Sequence, residues 1–267
     1  MKPTPIRMAV LLALALGTTG ASAAEETQPV DLAPTSTFRV EVDGAEVRAA
    51  ATYVAGETGL LILGSGLRFP ILVVTEDQTI RYVPDENVLR DEEGNVRMKG
   101  SPTDPVCNYQ VSAGQIIFQA EGHKVRLSPK SPLVGPQTLE AIIQHNPDYQ
   151  TRIAGYKPET TAVEFLRGYP RKTEIQIYFG SWCSVCEAWV PRLVKALQSA
   201  GNASLQTQFI ALPKNFISDV KARSKGIDGV PTIILLQDGK EVGRLSGRPE
   251  SGTIEAALVR VLKTATT

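Results

Sequence analysis

The sequence predicts an α/β domain at its C-terminal end preceded by a β-rich domain. Three observations lead there. Between Phe38 and Leu127, short apolar or alternating runs are punctuated by Gly, Pro and Asp, as antiparallel strands are. From Leu139 onward the apolar spacing becomes helical and alternates with further strand-like runs. The chain of 267 residues is long enough for two ordinary domains, each with its own core.

At the N-terminus, Lys2 and Arg7 precede the apolar run from Met8 to Leu16, and small residues follow as far as Ala24. That layout marks residues 1–24 as a secretory signal, cleaved after Ala23 with Ala21 at the −3 position, or after Ala24. The apolar run falls far short of the roughly 20 residues that span a bilayer, and no later segment is both long and charge-free enough. The mature chain is therefore expected to be soluble and exported, with no transmembrane segment and with a Gram-negative periplasm as the favoured compartment; an uncleaved anchor is the alternative. The 28 basic and 28 acidic residues balance, and no long basic run offers a surface for nucleic acid or an anionic membrane.

Residues 25–37 are polar, proline-bearing and without period, and are expected to be a flexible leader. The β-rich domain is expected over 38–128. Phe38, Val40 and Val42 alternate with polar positions up to Asp43-Gly44, and Ala45 and Val47 continue beyond it as a hairpin. Leu60–Leu63, Ile71–Val74 and Thr79–Val83 supply more strands, and Gln115–Gln119 and Lys124–Leu127 flank a turn at Glu121-Gly122.

Ser128-Pro129, Ser131-Pro132 and Gly135-Pro136 break the strand pattern, so residues 129–156 are expected to be a linker whose connector helix carries Leu139, Ile142 and Ile143. The second domain is expected over 157–267. Pro158 opens a short helix with Val163 and Leu166, and Glu174–Phe179 forms a strand. Directly after it, Cys183 and Cys186 stand one helical turn apart, while Cys186, Trp189, Val190, Leu193, Val194 and Leu197 trace an apolar helical face. Unpaired N–H groups and the positive dipole end at a helix start favour a thiolate on Cys183. The thiolate attacks disulfides, and a second thiol three residues on resolves the mixed disulfide. A purely structural disulfide is disfavoured, because so small a loop removes little unfolded-state entropy.

By these residues the chain from about Lys157 to Leu262 resembles the thioredoxin superfamily. Aromatic residues precede Trp182-Cys183, Pro191 falls where the family carries a kink-forming helix proline, and Gly226-Ile-Asp-Gly-Val230-Pro231-Thr232 resembles its cis-proline loop. The strand Gln208–Leu212, a helix through Ile217 and Val220, the hairpin Thr232–Leu236 with Glu241–Leu245, and a last helix from Ile254 to Leu262 follow the family's order. The resemblance implies a thioredoxin-like C-terminal domain with a central mixed sheet flanked by helices. It implies Cys183 and Cys186 as the catalytic pair, and Trp182, Val230 and Pro231 as the surface that docks an extended substrate.

Departures from the family are equally plain. Thioredoxins carry a buried aspartate that moves protons for the second cysteine, and Ile177 aligns there, so proton handling must differ. The dipeptide Ser184-Val185 matches neither thioredoxins nor the best-known periplasmic oxidases and isomerases. Glu187 has a proton role as one reading, and a solvated carboxylate in the first helical turn as the default. Cys107 is left alone, by default a buried thiol, with pairing between chains or exchange with the active site as the alternatives.

The function expected is exchange of disulfides with protein thiols, as a reductase in preference to an oxidase or isomerase, with a redox partner protein and without cofactor or metal. The alternatives are a thioredoxin-fold copper chaperone and a non-catalytic client-binding module. Against copper, Met98 is the single methionine beyond the signal, and His123 and His145 lack ligand spacing. The N-terminal domain suggests a homodimer only by analogy of architecture with exported isomerases.

Overall fold

The computed structural model describes residues 28–56 and 59–265. The expected signal, 1–24, lies outside the described residues. The N-terminal domain consists of β1 (Val30–Thr35), β2 (Phe38–Val42), β3 (Ala45–Glu46), β4 (Ala51–Ala55), β5 (Gly59–Leu63), β6 (Ile71–Val74), β7 (Thr79–Tyr82), β8 (Val88–Arg90), β9 (Val96–Met98), β10 (Cys107–Asn108), β11 (Gln110–Ser112), β12 (Gln115–Ala120) and β13 (His123–Pro129). It forms one sheet ordered β10-β7-β6-β5-β4-β1-β9-β8 and a second ordered β11-β12-β13-β2-β3. The Asp43-Gly44 hairpin is present, with both residues at positive φ as a two-residue turn of this hand requires.

Alternation explains how the sheets meet. Val40, Leu60, Ile62, Ile71, Val73, Ile80, Phe118, Val125 and Leu127 come from both sheets and bury one shared core. The other face of β5 and β6 is covered too, since Leu61 and Leu72 join Leu32, Tyr53, Val83 and Val96 in a second cluster. Strands buried on both sides lose polar alternation, which is why Leu60–Leu63 and Ile71–Val74 read as unbroken apolar runs.

The leader expectation is corrected here. Val30–Thr35 is β1, inserted between β4 and β9, and Leu32 is buried. Its apolar content is too sparse to show a strand period, but both edges of its backbone are paired within the sheet.

The C-terminal part comprises β14 (Gly135–Gln137), α1 (Leu139–His145), α2 (Asp148–Gly155), α3 (Thr160–Gly168), β15 (Thr173–Phe179), α4 (Ser184–Ala200), β16 (Leu205–Ala211), α5 (Val220–Ser224), β17 (Thr232–Gln237), β18 (Lys240–Ser246) and α6 (Ile254–Thr264). Its sheet runs β14-β16-β15-β17-β18, parallel between β15 and β16 and antiparallel elsewhere. Ile175, Ile177, Phe179, Ile233 and Leu235 pack on one face against α1 to α4 and α6. Tyr178, Ile234 and Leu212 pack on the other against Phe216, Ala222 and Ile227.

The linker expectation is corrected as well. Gly135 and Pro136, read as breakers, pair with Ala211 and Ile210 in β14. A proline is tolerated there because β14 is an edge strand. Ile142 of α1 and Tyr149 and Ile153 of α2 belong to the C-terminal core, so residues 135–155 are part of that domain.

Candidate active site

The site is built where β15 ends and α4 begins. Gly180 and Ser181 turn the chain, and Cys183 at φ −99° is the N-cap of α4, its sulfur accepting the Cys186 N–H at 3.3 Å. That bond satisfies one of the donors a helix start leaves open. Pro191 lies inside α4, which nonetheless runs unbroken to Ala200 and ends at Gly201 with φ 61°.

The two thiols are unlike each other. Cys183 is half-buried, and its pKa is drawn down to about 7, first by the hydrogen bond from the Cys186 side chain and then by backbone N–H groups, against the opposing cost of burial. Cys186 has no exposed surface, and burial first, then the neighbouring Cys183, push its thiol well up. No disulfide joins them. One sulfur is therefore disposed to attack and the other to wait as a thiol.

Across from the pair, the Val230–Pro231 bond is cis. The Val230 carbonyl oxygen lies 3.5 Å from Cys183 Sγ, so the loop singled out in the sequence stands beside that sulfur. Trp182 is half-buried, its indole N–H donating to the Leu212 carbonyl at 2.9 Å and its ring stacked on Phe216. With its donor engaged internally, Trp182 has only ring surface to offer a substrate.

Ile177 is fully buried on β15 and carries no proton chemistry. The carboxylate near the pair is on α4 instead. Glu187 is only 1% exposed, which corrects the default expectation of a solvated side chain. Its Oε1 accepts hydrogen bonds from the Ser36 N–H at 2.8 Å and the Ser36 hydroxyl at 2.7 Å, while Oε2, also buried, has no hydrogen-bond partner. Burial pushes this carboxyl up to about 7, with the Ser36 bonds opposing. Tyr149 of α2 lies beneath, its O–H donating to the Cys186 carbonyl at 3.4 Å.

One sequence signal does point to a buried Glu187: it lies three and seven residues before Val190 and Val194, within the apolar stripe of α4. Ser36 gave none.

The N-terminal domain closes over this region. Asn95, beyond β8, accepts from Arg152 at 3.4 Å and Arg192 at 3.3 Å, and Arg192 pairs with Glu93 at 3.2 Å. A cleft of about 680 Å³ runs along this seam, bounded by Leu32, Pro34 and Val96 on one side and Val185, Trp189 and Arg192 on the other. Cys107 is half-buried on β10, its thiol donating to the Gln119 carbonyl at 3.1 Å. His123 is exposed and paired with Asp43. Among the described residues, no cluster of three or more His, Cys, Asp or Glu side chains is placed to hold a metal ion, and no helix is long and apolar enough to cross a membrane.

The C-terminal part of the chain is similar to thioredoxins in its order of elements and in its Cys-x-x-Cys at a helix start. Residues 169–260 match the thioredoxin family model. Mitochondrial thioredoxin-2 of Schizosaccharomyces pombe is 31% identical over 100 residues, an alignment covering 38% of this chain and 60% of that relative's length. Among solved structures, a mutant thioredoxin from Halobacterium salinarum is 22% identical, covering 36% of this chain and 77% of that one with a TM-score of 0.28. Mitochondrial thioredoxin 3 from Saccharomyces cerevisiae is 20% identical, covering 39% and 87% with a TM-score of 0.26.

Proposed function

We propose that the protein is an exported thiol–disulfide oxidoreductase acting on protein thiols through Cys183 and Cys186. The observation that carries this reading is the asymmetry of the pair, a half-exposed sulfur with a lowered pKa at a helix start and a buried sulfur held as a thiol. In the reducing direction, the Cys183 thiolate attacks a client disulfide, forming one mixed disulfide and releasing one client thiolate. Cys186 then loses its proton and attacks Cys183 Sγ, releasing the second client thiolate and leaving the Cys183–Cys186 disulfide. A redox partner protein restores the dithiol.

The lowered pKa of Cys183 supplies the thiolate that exchange needs in either direction, and the reducing direction is the one proposed. The layout of residues 1–24, read as a secretory signal, supports export, and the periplasm is the compartment proposed.

The test is the reduction potential of the couple in a glutathione buffer, with a Cys107→Ser background. A value near about −270 mV supports a reductase, and one near about −120 mV a disulfide donor. Cys183→Ser should abolish exchange, and Cys186→Ser should accumulate mixed disulfides with clients. Copper held stoichiometrically without turnover would instead establish the chaperone reading. Retained exchange in Cys183→Ser would remove the catalytic assignment altogether.

A further inference from the structure

Cys186 must part with a proton when it attacks the mixed disulfide, yet it has no exposed surface. Solvent does not reach it, so a proton that does not leave with the client sulfur passes to a neighbouring group. The titratable and charged groups that bear on Glu187 and the pair are Lys130 after β13, Asp148, Tyr149 and Arg152 on α2, and the two cysteines of α4. Lys130 and Arg152 as cations have no lone pair to offer. Asp148 is already held by Arg152 at 2.7 Å. Tyr149 is a neutral phenol whose pKa burial raises well above its ordinary value, and its hydroxyl is engaged with the Cys186 carbonyl. Glu187 remains, one residue beyond Cys186, with Oε2 buried and unpartnered.

Ser36 makes the arrangement able to serve both protonation states. Its Oγ lies 2.7 Å from Glu187 Oε1 and 2.5 Å from the Ser181 carbonyl oxygen. A hydroxyl has one proton and cannot donate fully to two acceptors. When Glu187 is ionised the Ser36 hydroxyl is needed by the carboxylate. When Glu187 is protonated the same hydroxyl is free to donate to Ser181, two residues before Cys183. A small crevice lined by Thr52, Lys130 and Asn146 lies against Glu187.

We propose that Glu187 takes up the proton released by Cys186 in the resolving step, and that Ser36 of the N-terminal domain is the positioning residue that holds this carboxyl in both states. The step balances: the Cys186 S–H bond breaks, its proton passes to the Glu187 carboxylate, the new S–S bond forms to Cys183, and the client sulfur leaves as a thiolate. The inference rests on the exchange function proposed above.

The experiment mixes the reduced Cys107→Ser protein with Ellman's reagent in a stopped-flow instrument between about pH 5.5 and 9. Attack by Cys183 releases one thionitrobenzoate in a phase that scales with reagent concentration, and resolution by Cys186 releases a second in a phase that does not. Relative to the first phase, Glu187→Gln is expected to slow the second at least about tenfold near pH 7 and to flatten its pH profile. Ser36→Ala is expected to keep the second phase but move its pH midpoint upward, because the lost hydrogen bond favoured the carboxylate. A second phase with the parent's rate and profile in Glu187→Gln overturns the role of Glu187, and an unmoved midpoint in Ser36→Ala overturns that of Ser36. Should Glu187→Gln fail to fold, the Ser36→Ala midpoint decides for the arrangement as a whole. A parent protein lacking either phase would defeat the exchange function itself, which separates the two failures.

Discussion

Arg152 and Asp148 form an ion pair one helical turn apart on α2, Nε to Oδ2 at 2.7 Å, with the two side chains 4% and 7% exposed. The pair lies on the seam between the domains. Arg152 reaches Asn95 of the N-terminal domain, and Asp148 is approached by Arg90 at 3.9 Å. Removing one partner of a buried pair leaves an uncompensated charge.

Arg152→Ala should therefore lower stability by about 3–5 kcal/mol. Urea denaturation with matched slopes would measure it. A loss below about 1 kcal/mol would show that the seam is solvated in solution.

Gly155, at the end of α2, is packed so closely on the N-terminal domain that a Cβ there would collide with the Glu92 carbonyl oxygen. A backbone oxygen has no rotamer with which to move aside. Gly155→Ala should shift the domains relative to each other, speed proteolysis around residues 91–95, and destabilise by about 1–3 kcal/mol. Unchanged melting and digestion would contradict so close a contact.

Alkylation of Cys183 by iodoacetamide, followed against pH in the Cys107→Ser protein, should show a midpoint of about 7. The largest cause is the Cys186 side chain, so Cys186→Ala should move the midpoint upward and slow alkylation at neutral pH. An unmoved midpoint would assign the shift to the backbone N–H groups alone.

Glu187 also makes stability depend on pH. Its folded-state pKa is raised, so the folded state holds this proton more tightly than the unfolded chain. Its contribution is complete below about 4.5 and is lost as pH rises through about 7. The full span corresponds to about 3 kcal/mol. Glu187→Gln should flatten the fall in stability between about pH 5 and 7, and a fall of parental size in that variant would place its origin elsewhere.

The thiol pair and the loop that faces it were legible because their chemistry is local: a Cys-x-x-Cys after a strand, and a Val-Pro-Thr before one. The apolar strands were legible for the same reason, since period and turn residues lie within a few positions of each other. What failed depended on distant pairing. β1 has only Leu32 and its flanking residues to declare it, and β14 hides behind Gly135 and Pro136 at an edge where the proline costs no ladder bond. The burial of Glu187 was not legible, because a carboxylate in a first helical turn is ordinary when solvated. Only the arrival of Ser36 and α2 makes it buried.

The Ser36–Glu187 contact joins residues 151 positions apart in the chain. Closing a loop of that length carries a large entropic cost before any contact returns it, so such pairings tend to form late in folding. The helix that carries both thiols is local and can form early. A newly made chain would thus possess its nucleophile before it possesses the lid over Glu187, and its chemistry would mature with the fold. Refolding followed through thiol reactivity and tyrosine environment together would show the two events separated in time.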